Sequence, residues 1–358
     1  MLGGLQPALG AVPSLFSMRI LFLLALLAVA SPARTVTDHA GRTVEVPERP
    51  QRIISLAPGL TETLFAVGAG ERVVGVSDYC DFPAEAASRP KIGGIVNPSM
   101  EAIVALRPDL VLLTTDGNRR ETVEALERLQ IPSYAVGATD LPGVFRLVRD
   151  VAEVAGVGAR GEELAARLGR EAAAIEAAVA GRAPRRALFL VWLQPIVSAG
   201  RGSFLDDLLR RAGAESISRA STQPWPHLSL EEILRADPEF VLVPRTPWFA
   251  PSREELLKMP GWRDLSAIRQ SRLVPLPAAV ERPGPRLVEV LGQVARALHP
   301  GAFAAASPAS DDAAAPNPQR DKVGDKGGDG GRGRRKPASG PGGGGRQPTG
   351  SRLHGRDK

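Results

Sequence analysis

The chain has 358 residues, enough for two domains of ordinary size, so a small scaffold held by disulfides is excluded. Its formal net charge is +6, from 45 Lys and Arg against 39 Asp and Glu. Residues 1–33 hold Arg19 alone, and residues 307–358 hold 11 basic and 6 acidic groups, which leaves 33 of each sign between them. The central part is therefore neutral, and it lacks the clustered positive charge that binding to nucleic acid or to an anionic membrane surface requires.

Residues 1–33 have the pattern of a signal peptide. Met18 and Arg19 precede an apolar run at residues 20–30, which is shorter than the roughly 20 residues of a membrane span but fits a signal-peptide core. We expect cleavage after Ala30 or Ala33, with Met18 as an alternative start. No cysteine lies directly after the apolar run, where a lipid would be attached, so the expected product is a soluble periplasmic protein without a lipid anchor.

Residues 301–358 are predicted to form a disordered tail. They contain 13 Gly after residue 306 and no Ile or Trp, so they cannot bury enough apolar surface to offset the entropy lost on ordering. A basic cluster at Arg332, Arg334, Arg335 and Lys336 is interpreted as part of this solvated segment.

Between these ends, short β-branched runs alternate with amphipathic helices, a pattern typical of an α/β fold. The predicted strands lie at residues 53–56, 73–76, 110–113, 134–136, 187–191, 240–243 and 273–276, after a hairpin at 36–38 and 42–46. Ser203 with Asp206, and Ser229 with Glu232, predict two helix N-termini, because a hydroxyl and a carboxylate at this spacing can bind the free backbone amides of a first turn.

An internal repeat with an offset of 130 residues indicates two similar lobes. The identical pairs are Glu101 and Glu231, Ile103 and Ile233, Pro108 and Pro238, Val111 and Val241, and Leu112 and Leu242. Each copy has the order cap, helix, proline break and buried strand.

One long helix is predicted to join the lobes. Residues 161–180 place Leu164, Leu168, Ala172, Ile175 and Val179 at helical spacing without an intervening proline. About 20 residues at 1.5 Å each give a rigid rod of roughly 30 Å. The predicted architecture is two Rossmann-like α/β lobes, at residues 34–140 and 183–300, bridged by a helical segment at 141–182, with a ligand cleft between the lobes.

Five motifs resemble those of the substrate-binding proteins that serve ABC importers of cobalamin, siderophores and haem. They are SLAPGLTE at 55–62, GVSDYCDFP at 75–83, the stretch at 100–111, PWPHLSLE at 224–231 and ERPGPR at 281–286. The resemblance covers residues 34–300 and is strongest to the members that bind cobalamin. It implies a monomer without a cofactor of its own, which captures cobalamin or a related corrinoid as a transported ligand. The partners it implies are a permease and, through the permease, its ATPase.

The resemblance also implies site residues. Glu101 and Glu231 match the glutamates with which each lobe docks on permease arginines, and the alternative is that both only stabilise helix N-termini. The predicted ligand contacts are Tyr79, Trp192, Trp225, Ala278, Ala279, Val280, Glu281 and Arg282. The aromatic rings are suited to lie on a large planar ligand, and Arg282 to bind amide or phosphate oxygens. The alternatives are core positions for the aromatics and, for Arg282, an ion pair with Glu281 or a surface position.

One departure from the family leaves the ligand open. Relatives that bind cobalamin can carry further aromatics where this sequence has Gly93, Gly94, Ile95 and Thr114. A ferric siderophore or haem is therefore an alternative ligand, although only two tyrosines, Tyr79 and Tyr134, offer a phenolate to haem iron. Four scattered histidines and Cys80 predict no metal site.

The competing interpretations are an exported α/β hydrolase and a ligand sensor that does not transport. The sequence shows no nucleophile elbow, no phosphate-binding glycine loop at a strand end and no histidine–carboxylate pair suited to acid–base work. A sensor would not need Glu101 and Glu231 as a matched pair. We therefore predict a binding protein without catalytic residues.

Overall fold

The computed structural model describes residues 32–304, so the predicted signal peptide and tail lie outside the described residues except at their inner edges. At the C-terminal edge, Pro300–Ala302 forms a 3₁₀ turn and Phe303 packs against the core. The guanidinium of Arg296 lies 5.8 Å from the centre of the Phe303 ring. The fold thus extends past residue 301, where the sequence places the start of the tail, because Phe303 supplies an apolar anchor.

The N-terminal lobe contains a hairpin and a four-stranded parallel sheet. Its strands are β1 (Ala33–Thr37) and β2 (Thr43–Pro47) in the hairpin, then β3 (Ile53–Ser55), β4 (Val73–Val76), β5 (Leu110–Thr114) and β6 (Ser133–Val136) in the sheet. Its helices are α1 (Pro58–Ala66), α2 (Ala84–Ala87), α3 (Met100–Ala105) and α4 (Arg120–Arg128). The order β4-β3-β5-β6 is the 2-1-3-4 order found in doubly wound sheets.

Two helices, α5 (Leu141–Val154) and α6 (Gly158–Val179), lead to the C-terminal lobe. Its strands are β7 (Arg185–Leu193), β8 (Ile196–Ser198), β9 (Ala214–Ser216), β10 (Phe240–Arg245) and β11 (Leu273–Pro277). Its helices are α7 (Phe204–Arg211), α8 (Leu230–Ala236), α9 (Arg253–Lys258), α10 (Ser266–Arg269) and α11 (Leu287–Leu298). Strands β9, β7, β10 and β11 are parallel, whereas β8 runs antiparallel to the end of β7.

The two sheets have the same plan, as the repeat predicts. Strands β9, β7, β10 and β11 follow one another across the second sheet as β4, β3, β5 and β6 do across the first. Ser99 Oγ accepts the N–H of Ala102 and Ser229 Oγ that of Glu232, each at 3.2 Å, so both repeat helices begin at a capping serine, at Ser229 as predicted. All seven predicted sheet strands are present. The prediction omits β8 and β9, because three residues are too few to show an alternating pattern.

Alternate side chains of the strands enter different cores. In β5, Leu110 and Leu112 belong to a central core, whereas Val111 and Leu113 belong to an outer core that includes residues of α3 and α4. Strand β10 divides in the same way between the central core and a second outer core. The central core contains residues of β3, β5, β7, β10, α1, α5, α6, α7 and α11, so both lobes share it.

Helix α6 has 22 residues and begins three residues earlier than predicted. It is not a free-standing strut, since Leu164, Leu168 and Ala172 are buried in the shared core and the helix packs against α5 and α11. Glu176 of α6 also accepts a 2.6 Å hydrogen bond from Arg211 of α7. The rigidity of the connection therefore comes from packing along the helix. Among residues 32–304, no helix combines the length and the apolar composition needed to cross a bilayer.

We expect Gly161→Ala to destabilise the protein and Gly169→Ala not to. A Cβ on Gly161 would lie 2.3 Å from the Cβ of Ala152, where α6 meets α5, whereas the nearest atom to a Cβ on Gly169 is 3.9 Å away, on Phe145. Overpacking at the first site should cost about 1–3 kcal/mol of unfolding free energy. Alanine at the second should add up to about 1 kcal/mol, because it favours the helix. Denaturant titration measures both, and equal losses would contradict the close approach of the helices.

His39 ties the hairpin loop to α5 and to the end of β6. Its Nε2 lies 2.8 Å from Asp150 Oδ2, and its Nδ1 lies 3.1 Å from the carbonyl oxygen of Gly137. The hydrogen bond with Asp150 raises the pKa of His39 above its usual 6.5, against the opposing effect of burial and with a smaller contribution from the Gly137 carbonyl.

Stability should therefore decrease as the pH rises through the folded pKa of His39. A raised pKa means that the folded state holds the proton more tightly, so the contribution is complete below about pH 6.5 and is lost above the raised value. The pair is partly exposed, so the change should be no more than about 1 kcal/mol. This contribution is measured by comparing the unfolding free energies of the native sequence and of His39→Gln, each at about pH 5.5 and about pH 8.5. A difference between the two proteins that does not vary with pH would contradict the assignment.

Candidate functional site

The carboxyl ends of the parallel strands of both sheets face one cavity of about 540 Å³. In doubly wound sheets, the loops that leave these ends form the ligand crevice. The N-terminal side of the cavity is lined by Ala57, Pro58, Gly59, Leu60, Tyr79, Ile95, Thr114, Asp116, Gly117, Gly137, Ala138 and Leu147. The C-terminal side is lined by Phe204, Thr246, Trp248, Ala278, Glu281, Arg282 and Pro283. The cavity therefore lies between the lobes, where the sequence predicts a ligand cleft.

The two walls contain repeat-equivalent loops that have diverged. Asp116 follows β5 and Thr246 follows β10. The two residues are 130 positions apart, which is the offset of the repeat, and both line the cavity. Two residues further on, Asn118 and Trp248 form another such pair. Asn118 is held by its own loop, because its Oδ1 accepts the N–H of Thr114 at 2.7 Å, whereas Trp248 lines the cavity. At these positions the N-terminal wall thus presents a small acidic side chain, and the C-terminal wall presents an indole.

Tyr79 and Trp248 meet across the cavity, one from each lobe. Their ring centres are 5.4 Å apart and the rings are nearly perpendicular, at 76°. Tyr79 is 41% exposed and Trp248 53% exposed, so both rings keep free surface for a ligand. Tyr79 is a predicted ligand contact and Trp248 is not. The signal for Trp248 is its place just after a parallel strand, at the edge where ligands bind.

The turn after β11 divides its residues between cavity and core. Ala278–Glu281 forms a 3₁₀ helix, in which residues three apart lie on the same side. Ala278 and Glu281 accordingly line the cavity, whereas Ala279 and Val280 are buried in the shared core. Of the five consecutive residues predicted to touch the ligand, the structure brings three to the cavity, the third being Arg282.

Arg282 belongs to a cluster of four charges that joins the lobes. Its Nη1 donates to Glu62 Oε1 at 3.2 Å, and its Nη2 donates to Asp81 Oδ2 at 3.1 Å. Arg286 Nε donates to the other oxygen of Glu62 at 2.9 Å. The two carboxylates come from the N-terminal lobe and the two arginines from the C-terminal lobe, so the cluster is neutral. Arg282 therefore forms an ion pair, as in the alternative interpretation of the sequence, but with Glu62 and Asp81 and not with Glu281.

The cluster favours the charged forms of Asp81 and Arg282. The hydrogen bond from Arg282 lowers the pKa of Asp81, against the opposing effect of burial. Burial alone would lower the pKa of Arg282, but the hydrogen bonds and charges of Asp81 and Glu62 raise it. Glu62 is 4% exposed and Arg282 8%. Buried charges at such positions persist only when paired.

Two other carboxylates of the cavity have no such partner. Within residues 32–304, the side-chain oxygens of Asp116 and Glu281 form no hydrogen bond or ion pair. Burial raises the pKa of Glu281, and the charge of Arg282 acts against this rise. The described lining therefore combines two free acidic groups with one arginine whose charge is already compensated.

Two predicted aromatic contacts lie outside the cavity lining. The ring of Trp192 stacks on Phe249, with centres 5.2 Å apart, and its Nε1 donates to the carbonyl oxygen of Gln194. Trp225 packs edge to face on Phe204, with centres 6.2 Å apart, and Phe204 itself lines the cavity. Trp225 thus lies beside a lining residue, Trp192 packs on the chain neighbour of Trp248, and both rings are 43% exposed.

Only Tyr79 of the two tyrosines lines the cavity. Tyr134 is buried in β6, where its hydroxyl donates to the carbonyl oxygen of Thr37 and burial raises its pKa to about 12. It is buried away from the cavity lining and is therefore not placed to bind the iron of a ligand in the cavity. In the described part of the chain, no three His, Cys, Asp or Glu side chains converge as a metal-binding group.

Both predicted docking glutamates are on the surface. Glu101 lies in the first turn of α3 and Glu231 in the first turn of α8, at equivalent positions of the repeat. Both are exposed, neither lines the cavity, and neither side chain forms an ion pair within residues 32–304.

The sequence profile of the family described as periplasmic binding protein matches residues 53–280, which include both sheets. The chain belongs to this family. Periplasmic binding proteins of this kind are the substrate-binding components of ABC transporters, in agreement with the two-lobed fold and the interlobe cavity.

The most informative relatives are binding proteins for vitamin B12 and haem, and they indicate which type of periplasmic binding protein this chain is. The vitamin B12-binding protein of Salmonella typhimurium is 32% identical over 249 residues, which are 69% of this chain and 90% of that protein. The periplasmic haem-binding protein RhuT of Roseiflexus sp. RS-1 has a TM-score of 0.65 at 30% identity, covering 70% of this chain and 99% of that one. The periplasmic vitamin B12-binding protein BtuF of Vibrio cholerae has a TM-score of 0.61 at 25% identity, covering 70% and 96%. This protein is therefore a periplasmic binding protein of the cobalamin, haem and siderophore type.

Proposed function

We propose that the protein captures cobalamin, or a related corrinoid, in the interlobe cavity and delivers it to the permease of an ABC importer. The observation that carries this proposal is the composition of the cavity. Tyr79 and Trp248 supply aromatic surface from both lobes, and the only free charges on the described lining are the carboxylates of Asp116 and Glu281.

The charge of the cavity favours a corrinoid over haem or an anionic siderophore complex. A corrin ring carries primary amides on its edge, and amide N–H groups donate hydrogen bonds to carboxylates. Haem carries two propionates, which would meet two carboxylates and an arginine that Glu62 and Asp81 already neutralise. The similarity to vitamin B12-binding proteins supports the same ligand.

Haem is the second candidate, and three observations favour it. The relative RhuT is a haem-binding protein, and Tyr79 places a phenol at the cavity where iron could be bound. Ile95 and Thr114 also line the cavity at positions where cobalamin-binding relatives can carry aromatics, so this wall is less aromatic than in those relatives.

We also propose the route by which the protein reaches and meets its partner. Residues up to Ala30 or Ala33 direct export and are removed, residues 34–140 and 183–303 fold as the two lobes, and the residues after 304 form a solvated tail. Glu101 and Glu231 dock on arginines of the permease, which couples to its ATPase. Their exposure at equivalent helix starts, on lobes that share one core, supports a two-point contact of fixed span.

Titration of purified residues 34–304 with cobalamin, haem and a ferric siderophore tests the ligand. Each of Tyr79→Ala and Trp248→Ala should weaken cobalamin binding about tenfold, because truncating a central aromatic contact costs more than about 1 kcal/mol. Trp192→Ala is the matched control, since its ring lies on Phe249 outside the lining and its removal should change affinity little. Calorimetry and the visible spectrum of the ligand measure both effects. Binding of haem in preference to cobalamin, or equal losses in all three variants, would refute the proposal.

Charge reversal at the docking positions tests the partner. Uptake of cobalamin by cells that carry the cognate importer should be abolished by Glu101→Lys with Glu231→Lys, while the affinity of the purified protein should stay unchanged. Glu232→Gln is the matched control, because Glu232 lies beside Glu231 but binds the backbone N–H of Ser229 at 2.7 Å in its own helix cap. Loss of ligand affinity in the reversed variant would show that these residues act on the cavity and not on docking.

A further inference from the structure

The two terminal nitrogens of Arg282 have no donor left for a ligand. Nη1 donates to Glu62 Oε1 and to Asp81 Oδ1, and Nη2 donates to Asp81 Oδ2 and to the carbonyl oxygen of Tyr79. These four contacts use the four N–H groups that the terminal nitrogens carry. A ligand carboxylate therefore cannot form the usual paired contact with this guanidinium unless a protein partner leaves it.

Asp81 is the partner that can be replaced with least disturbance. Its side chain is 60% exposed, whereas that of Glu62 is 2% exposed. Without Asp81, Arg282 would keep Glu62, and Glu62 would keep both Arg282 and the two hydrogen bonds from Arg286. Removal of Asp81 thus frees two N–H groups of Arg282, which is a residue of the cavity lining, without leaving a buried charge unpaired.

We propose that Asp81 is a specificity-determining residue, which excludes flat ligands with free carboxylates by occupying the one arginine of the described cavity lining. The inference rests on the proposed function, since it explains why a cavity with an arginine would accept a corrinoid and reject an anionic macrocycle. Asp81 acts through Arg282 and does not itself line the cavity. It is a positioning residue, and its effect should be visible only for ligands that carry carboxylates.

The test compares haem affinity, read from the Soret spectrum, in the native sequence and in four variants. Asp81→Asn should bind haem at least about tenfold more tightly than the native sequence, a difference of about 1.4 kcal/mol. Asp81→Glu keeps the charge and should show no gain. Asp116→Asn removes a carboxylate of the lining without releasing Arg282, so it measures the effect of cavity charge alone. In Asp81→Asn with Arg282→Gln the gain should disappear, because the released guanidinium is absent.

Failure of the role proposed for Asp81 can be distinguished from failure of the proposed function, because a different measurement tests each. Cobalamin binding by the native sequence tests the function, and the change in haem affinity tests Asp81. A gain in Asp81→Asn that depends on Arg282 and exceeds the gain in Asp116→Asn supports the inference. No gain, an equal gain in Asp116→Asn, or a gain that persists without Arg282 would overturn it. Thermal unfolding of each variant confirms that the fold is retained.

Discussion

Both lobes depend on one shared hydrophobic core, and the position of the cavity follows from it. Residues from both sheets and from α1, α5, α6, α7 and α11 pack in this core, and each sheet covers its other face with a separate outer core. Side chains in such interiors are close packed, so relative movement of the lobes would open voids along α6. The carboxyl edges of the two sheets are consequently held face to face, and the loops that leave them enclose the cavity.

The charge cluster adds a second link between the lobes at the cavity itself. Glu62 and Asp81 from one lobe meet Arg282 and Arg286 from the other. Beside them, the backbones of Gly59 and Pro283 approach so closely that a Cβ on Gly59 would lie 2.1 Å from the Pro283 carbonyl oxygen. Buried ion pairs contribute little net stability because desolvation offsets their attraction, but they penalise arrangements that separate the partners. The cluster therefore contributes more to the relative position of the lobes than to the total stability.

Local patterns in the sequence predict the helices and strands, but they do not predict contacts between residues that are distant in the chain. Short β-branched runs locate seven of the nine strands of the two sheets, helical spacing locates α6 and the offset of 130 residues predicts matching lobes. The pairing of Arg282 joins residues 201 and 220 positions apart, and no local pattern reveals it. The role of α6 as part of a shared core is hidden for the same reason, since its apolar stripe shows that it packs but not against what. The position of Trp248 just after β10 indicates a place at the ligand-binding edge of the sheet. Its contact with Tyr79 cannot be predicted in this way, because it depends on how the lobes are arranged.

Duplication explains the shape of the cavity, and divergence explains its chemistry. Two copies of one sheet plan, joined through a common core, place equivalent loops on opposite walls, which enclose a cavity of about 540 Å³. The loops then differ in what they present: an acidic residue in one and Thr246 with Trp248 in the other. Because both lobes pack in one core, we expect most of the affinity to come from contacts already in place and not from extensive closure around the ligand. Under the proposed function, a few charged side chains at the walls would decide which macrocycle is accepted, since separating the lobes would disrupt their shared core.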